Sequence, residues 1–221
     1  MAKAFKRKGE EYAGRLDAAE RALVVGLLEQ VLQLVDPEGA TRDTGDVFDD
    51  IVAGIGGVGM GISLSAEDRG EEVTGEATGE SGGQASHPAY GMEDRDPALD
   101  RLFPPGHHAD EAAAAEFRRL TERSLRTRKA HNLTASIEAL GAAHGDRVRL
   151  DHEQALAFVV ALTDVRLVLG ERLGLKDDDD ADRLEALAAT LDPDEPLVYA
   201  LAVYDFLTWL QETLAHALMP T

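Results

Sequence analysis

Cysteine is absent from the 221 residues of this chain. That excludes disulfides, thiolate nucleophiles, zinc–thiolate sites and thiol redox switches. Aromatic residues are scarce, at 5% against 44% hydrophobic overall, so the core must be built mainly from Ala, Leu and Val. Such a composition suits helix packing better than sheet packing, where β-branched and aromatic side chains are enriched. No apolar run reaches the ~18 residues of a membrane span. The charged start, Met1 to Glu11, lacks the apolar stretch of a secretory signal. The expectation is a soluble, cytoplasmic protein with no membrane contact. Positive charge is also short: 22 Lys and Arg face 42 Asp and Glu, a formal charge of −20. That balance opposes nucleic-acid binding by the molecule as a whole.

The acidity is unevenly spread. From Asp36 to Arg95 fourteen acids stand against Arg42, Arg69 and Arg95, and 13 of the 21 glycines lie in the same stretch. Such a segment buries too little apolar surface to offset ordering costs of ~1–2 kcal/mol per residue. Residues 37–95 are therefore read as an acidic, Gly-rich insert, disordered or mobile. Residues 1–36 and 96–221 are read as a single helical domain.

Within that domain, alternation from Phe5 to Leu16 around Gly9-Glu10 predicts a short hairpin. Asp17-x-x-Glu20 is a capping box, and Leu23, Leu27, Val31 and Leu34 recur at helical spacing behind it. Asp36-Pro37 stops that helix. Asp96-Pro97 opens a short helix through Phe103. Asp110 caps a long one to about Ala139. Arg147 to Leu150 reads as a third strand. Asp151-His152-Glu153-Gln154, a second capping box, starts a helix to about Leu173, with Gly174 at its left-handed end. Lys176 to Asp180 reads as a charged loop, followed by helices over 182–191 and 197–218, the last opened by Pro196. The fold class expected is mainly α, a compact bundle of five to six helices with a small β-hairpin or three short strands.

Familiar chemical motifs are weak here. Gly54-x-Gly56-x-x-Gly59 has dinucleotide-loop spacing, but neither a convincing strand before it nor a helix after it, so it reads as linker. His107-His108 has no second ligand pair at metal spacing. Asp177 to Asp180 lacks the alternation, glycine and terminal Glu of a calcium loop. Asn132-Leu133-Thr134 is a glycosylation sequon of no consequence in a cytoplasmic helix. No cofactor is expected, and no catalytic residue stands out.

The segment Glu116 to Lys129 carries more information. It holds six basic residues against two acids, in a chain of net −20. Arg119, Arg123 and Arg126 fall on one helical stripe, and Arg118–Glu122 and Glu122–Arg126 are i, i+4 pairs worth ~0.2–0.5 kcal/mol each. The helix from Leu156 to Leu173 is apolar almost all round, which implies burial, yet it contains Asp164 and Arg166. Buried charges need partners, and the arginine helix with Glu116 or Glu122 is the obvious supply. Two readings stay open for Arg118, Arg119, Glu122, Arg123, Arg126, Lys129, Asp164 and Arg166: an internal ion network, or a face that grips phosphate or an acidic partner. The last helix, with Leu201, Tyr204, Leu207, Trp209, Leu210, Leu214 and Leu218, carries more apolar surface than one core stripe needs, which leaves room for self-association.

Three segments together carry a resemblance. They are Asp96-Pro97-x-x-x-Arg101-Leu102-x-Pro104 running on to Glu116-Phe117-Arg118-Arg119-Leu120-Thr121-Glu122; Leu162-Thr163-Asp164-Val165-Arg166-Leu167-Val168-Leu169-Gly170-Glu171-Arg172-Leu173; and Tyr204-Asp205-Phe206-Leu207-Thr208-Trp209-Leu210-Gln211-Glu212. They resemble the actinobacterial AosR-like family of domains of unknown function, over roughly 1–35 and 96–218. The resemblance implies a small, mostly helical cytoplasmic protein without known catalysis, engaged in oxidative-stress transcription with an alternative sigma factor. A chain without cysteine cannot sense oxidant through thiols of its own. The reading reached is a non-enzymatic, transcription-associated regulator that acts by protein–protein contact. The alternative is a structural adaptor or homodimeric scaffold with no transcriptional role. Direct binding of nucleic acid is a weaker variant.

Overall fold

The computed structural model describes residues 1–36, 96–104 and 111–220, with 111–120 and 178 by backbone alone. The expected insert 37–95, the glycine pattern at 54–59, His107-His108 and the Asp110 cap lie outside the described residues.

Chain order begins with an antiparallel hairpin, β1 (Lys3–Lys8) and β2 (Glu11–Arg15), turned at Gly9 with φ of 68°. A positive φ is cheap only for glycine. Phe5, Tyr12 and Gly14 face inward, and Phe5 meets Phe158 edge to face at 6.2 Å. Helix α1 (Ala18–Val35) starts where its capping box dictates. The Asp17 carboxylate accepts from the Ala19 and Glu20 amides at 3.0 Å, and Glu20 accepts from the Asp17 amide at 2.8 Å. Its buried stripe is Val24, Leu27, Leu28, Val31 and Val35, each worth about 1.5–3 kcal/mol when fully buried.

Helix α2 (Pro97–Leu102) has Asp96 as its cap and Pro97 at its first position. Helix α3 (Glu111–Gly141) is the longest. A turn through Gly145, φ 61°, leads from α3 into β3 (Arg147–Leu150). Strand β3 pairs antiparallel with β2, giving a three-stranded sheet in the order β1-β2-β3. Helix α4 (His152–Arg172) begins with the Asp151–Gln154 capping box. It ends at Gly174, φ 74°, where the Leu175 amide reaches the Gly170 carbonyl at 2.8 Å and the Gly174 amide reaches Glu171 at 3.1 Å. Those two bonds satisfy the otherwise orphaned carbonyls of the last turn. Helices α5 (Asp178–Ala188) and α6 (Pro196–Leu218) complete the chain.

The fold is therefore mainly α, six helices with one small antiparallel sheet among the described residues. Helix α4 is its axis, packed by α1, α2, α3 and α6 and touching β2 and β3. One hydrophobic core runs through all these contacts, from Phe5 and Tyr12 to Leu210 and Leu214.

Two local expectations are corrected. Lys176 to Asp180 is not a free loop: Asp177 caps α5 by accepting from the Asp180 amide at 2.9 Å, and the acids form the helix's first turn. Carboxylates there complement the unpaired amides and the positive end of the helix dipole. Burial of α4 is not complete all round either. Leu156 and Val160, one turn apart, are 47% and 42% exposed, because no element among the described residues covers that side.

Candidate functional site

Helix α3 presents Leu125, Lys129, Leu133, Ser136 and Leu140 toward its neighbours, at spacings of three and four. Lys129 is thus a seam position, and Glu122 and Arg126 flank the same seam. Arg123 and Arg128 point away from it and are exposed. The stripe expected from Arg119, Arg123 and Arg126 is therefore split: Arg126 turns inward while Arg123 does not. The side chains of Arg118 and Arg119 lie outside the described residues.

The inward residues form a junction of four helices. Lys129 Nζ lies 2.5 Å from Asp164 Oδ1. Asp164 is 1% exposed, and its Oδ2 has no hydrogen-bond partner among the described residues. Burial pushes this carboxyl above its ordinary value, and the Lys129 ammonium pulls it back only in part. Arg126 donates twice to Glu122 Oε1, at 2.7 and 2.9 Å, and once to the Val35 carbonyl at 2.7 Å. It thereby serves the open carbonyl end of α1. The buried Phe103 ring lies under both cations, 4.8 Å from the Arg126 guanidinium carbon and 5.9 Å from Lys129 Nζ. Such contacts add attraction where water is excluded.

Arg166 finds its partners elsewhere than expected. It donates to Gln211 Oε1 at 2.7 Å and lies 5.1 Å over the Tyr204 ring, both on α6; its Nε has no hydrogen-bond partner among the described residues. Two positions past Asp164 on a helix is about 200° of rotation, so one helix cannot offer both residues to α3. Two further pairs tie both ends of α2 to the end of α4: Arg101–Glu171 at 2.7 Å and Arg172–Asp96 at 2.6 Å. On α6, Phe206 stacks on Trp209 with centroids 6.1 Å apart. Leu207, Leu210 and Leu214 are buried, whereas Tyr204 and Trp209 are only partly so.

A second concentration of charge was not evident in the sequence. The outer face of the sheet carries Lys3, Arg15 and Arg147 in one rung, because Lys3 pairs with Arg15 and Arg15 with Arg147. Lys6, Ala13 and Arg149 form the next rung. Beside β2 and β3, a cavity of about 460 Å³ is lined by Arg15, Arg147, Arg149, His144, Asp146 and alanines at the end of α3. The only sequence trace of this face is the alternation Arg147-Val148-Arg149-Leu150. Nothing in the string says which strand lies beside it.

No helix among the described residues is long and apolar enough to cross a membrane. No curated protein matches the chain, and neither does any solved structure. One family model does match, over residues 2–218, and so takes in the junction, the sheet and the cavity alike. The chain belongs to the family described as Domain of unknown function (DUF2017).

Proposed function

We propose that this DUF2017 protein is a non-enzymatic, transcription-associated regulator that works by contact with a protein partner, through the outer flank of α3. The division of charge on that helix carries the reading. Arg126 and Lys129 are bound into the junction. Arg123 and Arg128 stand exposed, with no side-chain partner among the described residues. Charges that a fold leaves free on a rigid helix are available to steer and register an acidic surface. The resemblance to AosR-like proteins supports an alternative sigma factor as that partner and oxidative stress as the setting. With no cysteine, the oxidant signal does not enter through a thiol of this chain.

Purified protein mixed with alternative sigma factors of the same genome, followed by size-exclusion chromatography with light scattering, tests this. A mixed complex is expected with the wild type and is expected to be lost with Arg123→Glu/Arg128→Glu, whose circular dichroism stays unchanged. A complex that survives both reversals, or none with any sigma factor, overturns the reading. Leu156 and Val160, exposed one turn apart on α4, favour the alternative of a homodimeric scaffold. That alternative predicts a dimer that Leu156→Gln/Val160→Gln dissociates.

A further inference from the structure

We infer that the cavity beside the outer face of the sheet is a binding site for a small, multiply charged phosphate ligand. It is separate from the α3 flank and independent of the function proposed above. Three observations carry it.

The first is the rung Lys3–Arg15–Arg147, which runs across all three strands. Like charges directly opposite one another in a sheet are destabilising. Carboxylates outnumber cations almost two to one in this chain, so an acidic partner was abundantly available. Yet Lys3, Arg15 and Arg147 make no side-chain hydrogen bond or ion pair among the described residues. Arg149 has only Glu11, at 3.5 Å, with both side chains more than half exposed. The fold therefore keeps a repulsive rung that packing does not require.

The second is convergence. Register places Arg15 and Arg147 opposite each other, and Arg149 two residues along on the same face as Arg147. All three then line one cavity together with His144. Its 460 Å³ lies in the range of small-ligand sites. Guanidinium forks match phosphate oxygens two at a time, which a lysine cannot do. Asp146 on the same wall offers an acceptor for a ligand hydroxyl, so a phosphate ester suits the lining as a whole.

The third decides between a small ligand and a nucleic acid. The aromatic residues of the sheet, Phe5 and Tyr12, both face the core, so its outer face has no Phe, Tyr or Trp platform on which successive bases could stack, and His144 is the one ring in the cavity lining. A long polyanion would also meet the field of a protein of net −20. A small ligand seated in the cavity lies within one Debye length, ~8 Å, of the three guanidiniums, and more distant carboxylates are screened from it.

Isothermal titration of the full chain at 0.15 M salt with inorganic pyrophosphate and with fructose 1,6-bisphosphate tests the inference. Saturable one-to-one binding of at least one probe is expected, and the tighter of the two tells whether the physiological source is inorganic or an ester. Arg15→Gln/Arg147→Gln should weaken it at least tenfold, and Arg183→Gln on α5 should leave it unchanged. Thermal melting guards against an unfolded variant: with the like charges removed, Arg15→Gln/Arg147→Gln should melt at or above the wild-type temperature. Absence of saturable binding by either probe overturns the inference, as does binding that survives the double variant. A lower melting temperature for that variant would make the arginines structural and overturn it too. Tighter binding of a 20-base-pair DNA duplex than of either probe, with steep salt dependence, would replace it with nucleic-acid recognition.

Discussion

Lys129 and Asp164 meet at 2.5 Å in the middle of the α3–α4 contact, and the second oxygen of that aspartate has no partner among the described residues. The pair holds two helices in register at the cost of taking a carboxylate out of water. Breaking it from one side should be far worse than removing it. Lys129→Met leaves Asp164 buried without a counter-ion and is expected to lose about 3–5 kcal/mol. Lys129→Met/Asp164→Leu should return to within about 1 kcal/mol of wild type, or exceed it. Urea titrations of the four proteins in the cycle measure both.

The same residue sets a pH dependence. Burial holds the Asp164 carboxyl above its ordinary 3.8, so the folded state binds that proton more tightly than the unfolded chain does. Its contribution to stability is complete below pH 3.8 and is lost as pH rises through the raised folded value. Relative to Asp164→Asn, the wild type should lose stability as pH climbs out of that range and then level off. A flat difference between the two urea-midpoint curves would show that the carboxyl titrates normally.

Arg126 joins α1, α2 and α3 through the Val35 carbonyl, the Phe103 ring and Glu122. Arg126→Met keeps much of the volume but leaves that carbonyl without its donor. A loss of about 1–3 kcal/mol is expected. Arg126→Lys should recover only part of it, because an ammonium cannot serve a carbonyl and a carboxylate with the geometry of a fork. Thermal unfolding of the two variants side by side gives the comparison.

Gly14 lies under the Phe5 ring, and a Cβ added there would stand 3.0 Å from three of its carbons. Phe5 is held against Phe158 and has little room to yield. Gly14→Ala is expected to destabilise by about 1–3 kcal/mol. Phe5→Leu should relieve the crowding, so Gly14→Ala/Phe5→Leu should lose less than the two single changes added together.

Local signals were readable where the physics is local. Asp17 and Asp151 each carry their helix start in four residues, and Gly174 its helix end. All three are satisfied within a single turn of chain, so no distant contact overrides them. The aspartates at 177–180 were not legible as a helix start, because a run of like charges resembles solvated loop; only the Asp177 cap geometry reveals a first turn. At the candidate site, the pairing of Glu122 with Arg126 is an i, i+4 matter and was legible. The partner of Arg166 was not, since it depends on which helix lies against which side of α4. The cationic rung was hidden for a stronger reason. Its members come from positions 3, 15 and 147, and nothing short of strand register brings them together.

The amide of Phe5 points at Thr213, 208 residues further along, where β1 packs on α6. At about 5–20 residues per second on the ribosome, roughly 10–40 s separate the synthesis of those two ends. Throughout that interval the lid of the first hairpin has not been made, and β3, which covers its other edge, is made only about two thirds of the way through it. The two inward rings, Phe5 and Tyr12, therefore spend most of the protein's birth uncovered. A newborn chain of this architecture should depend on a holding chaperone more than its modest length suggests.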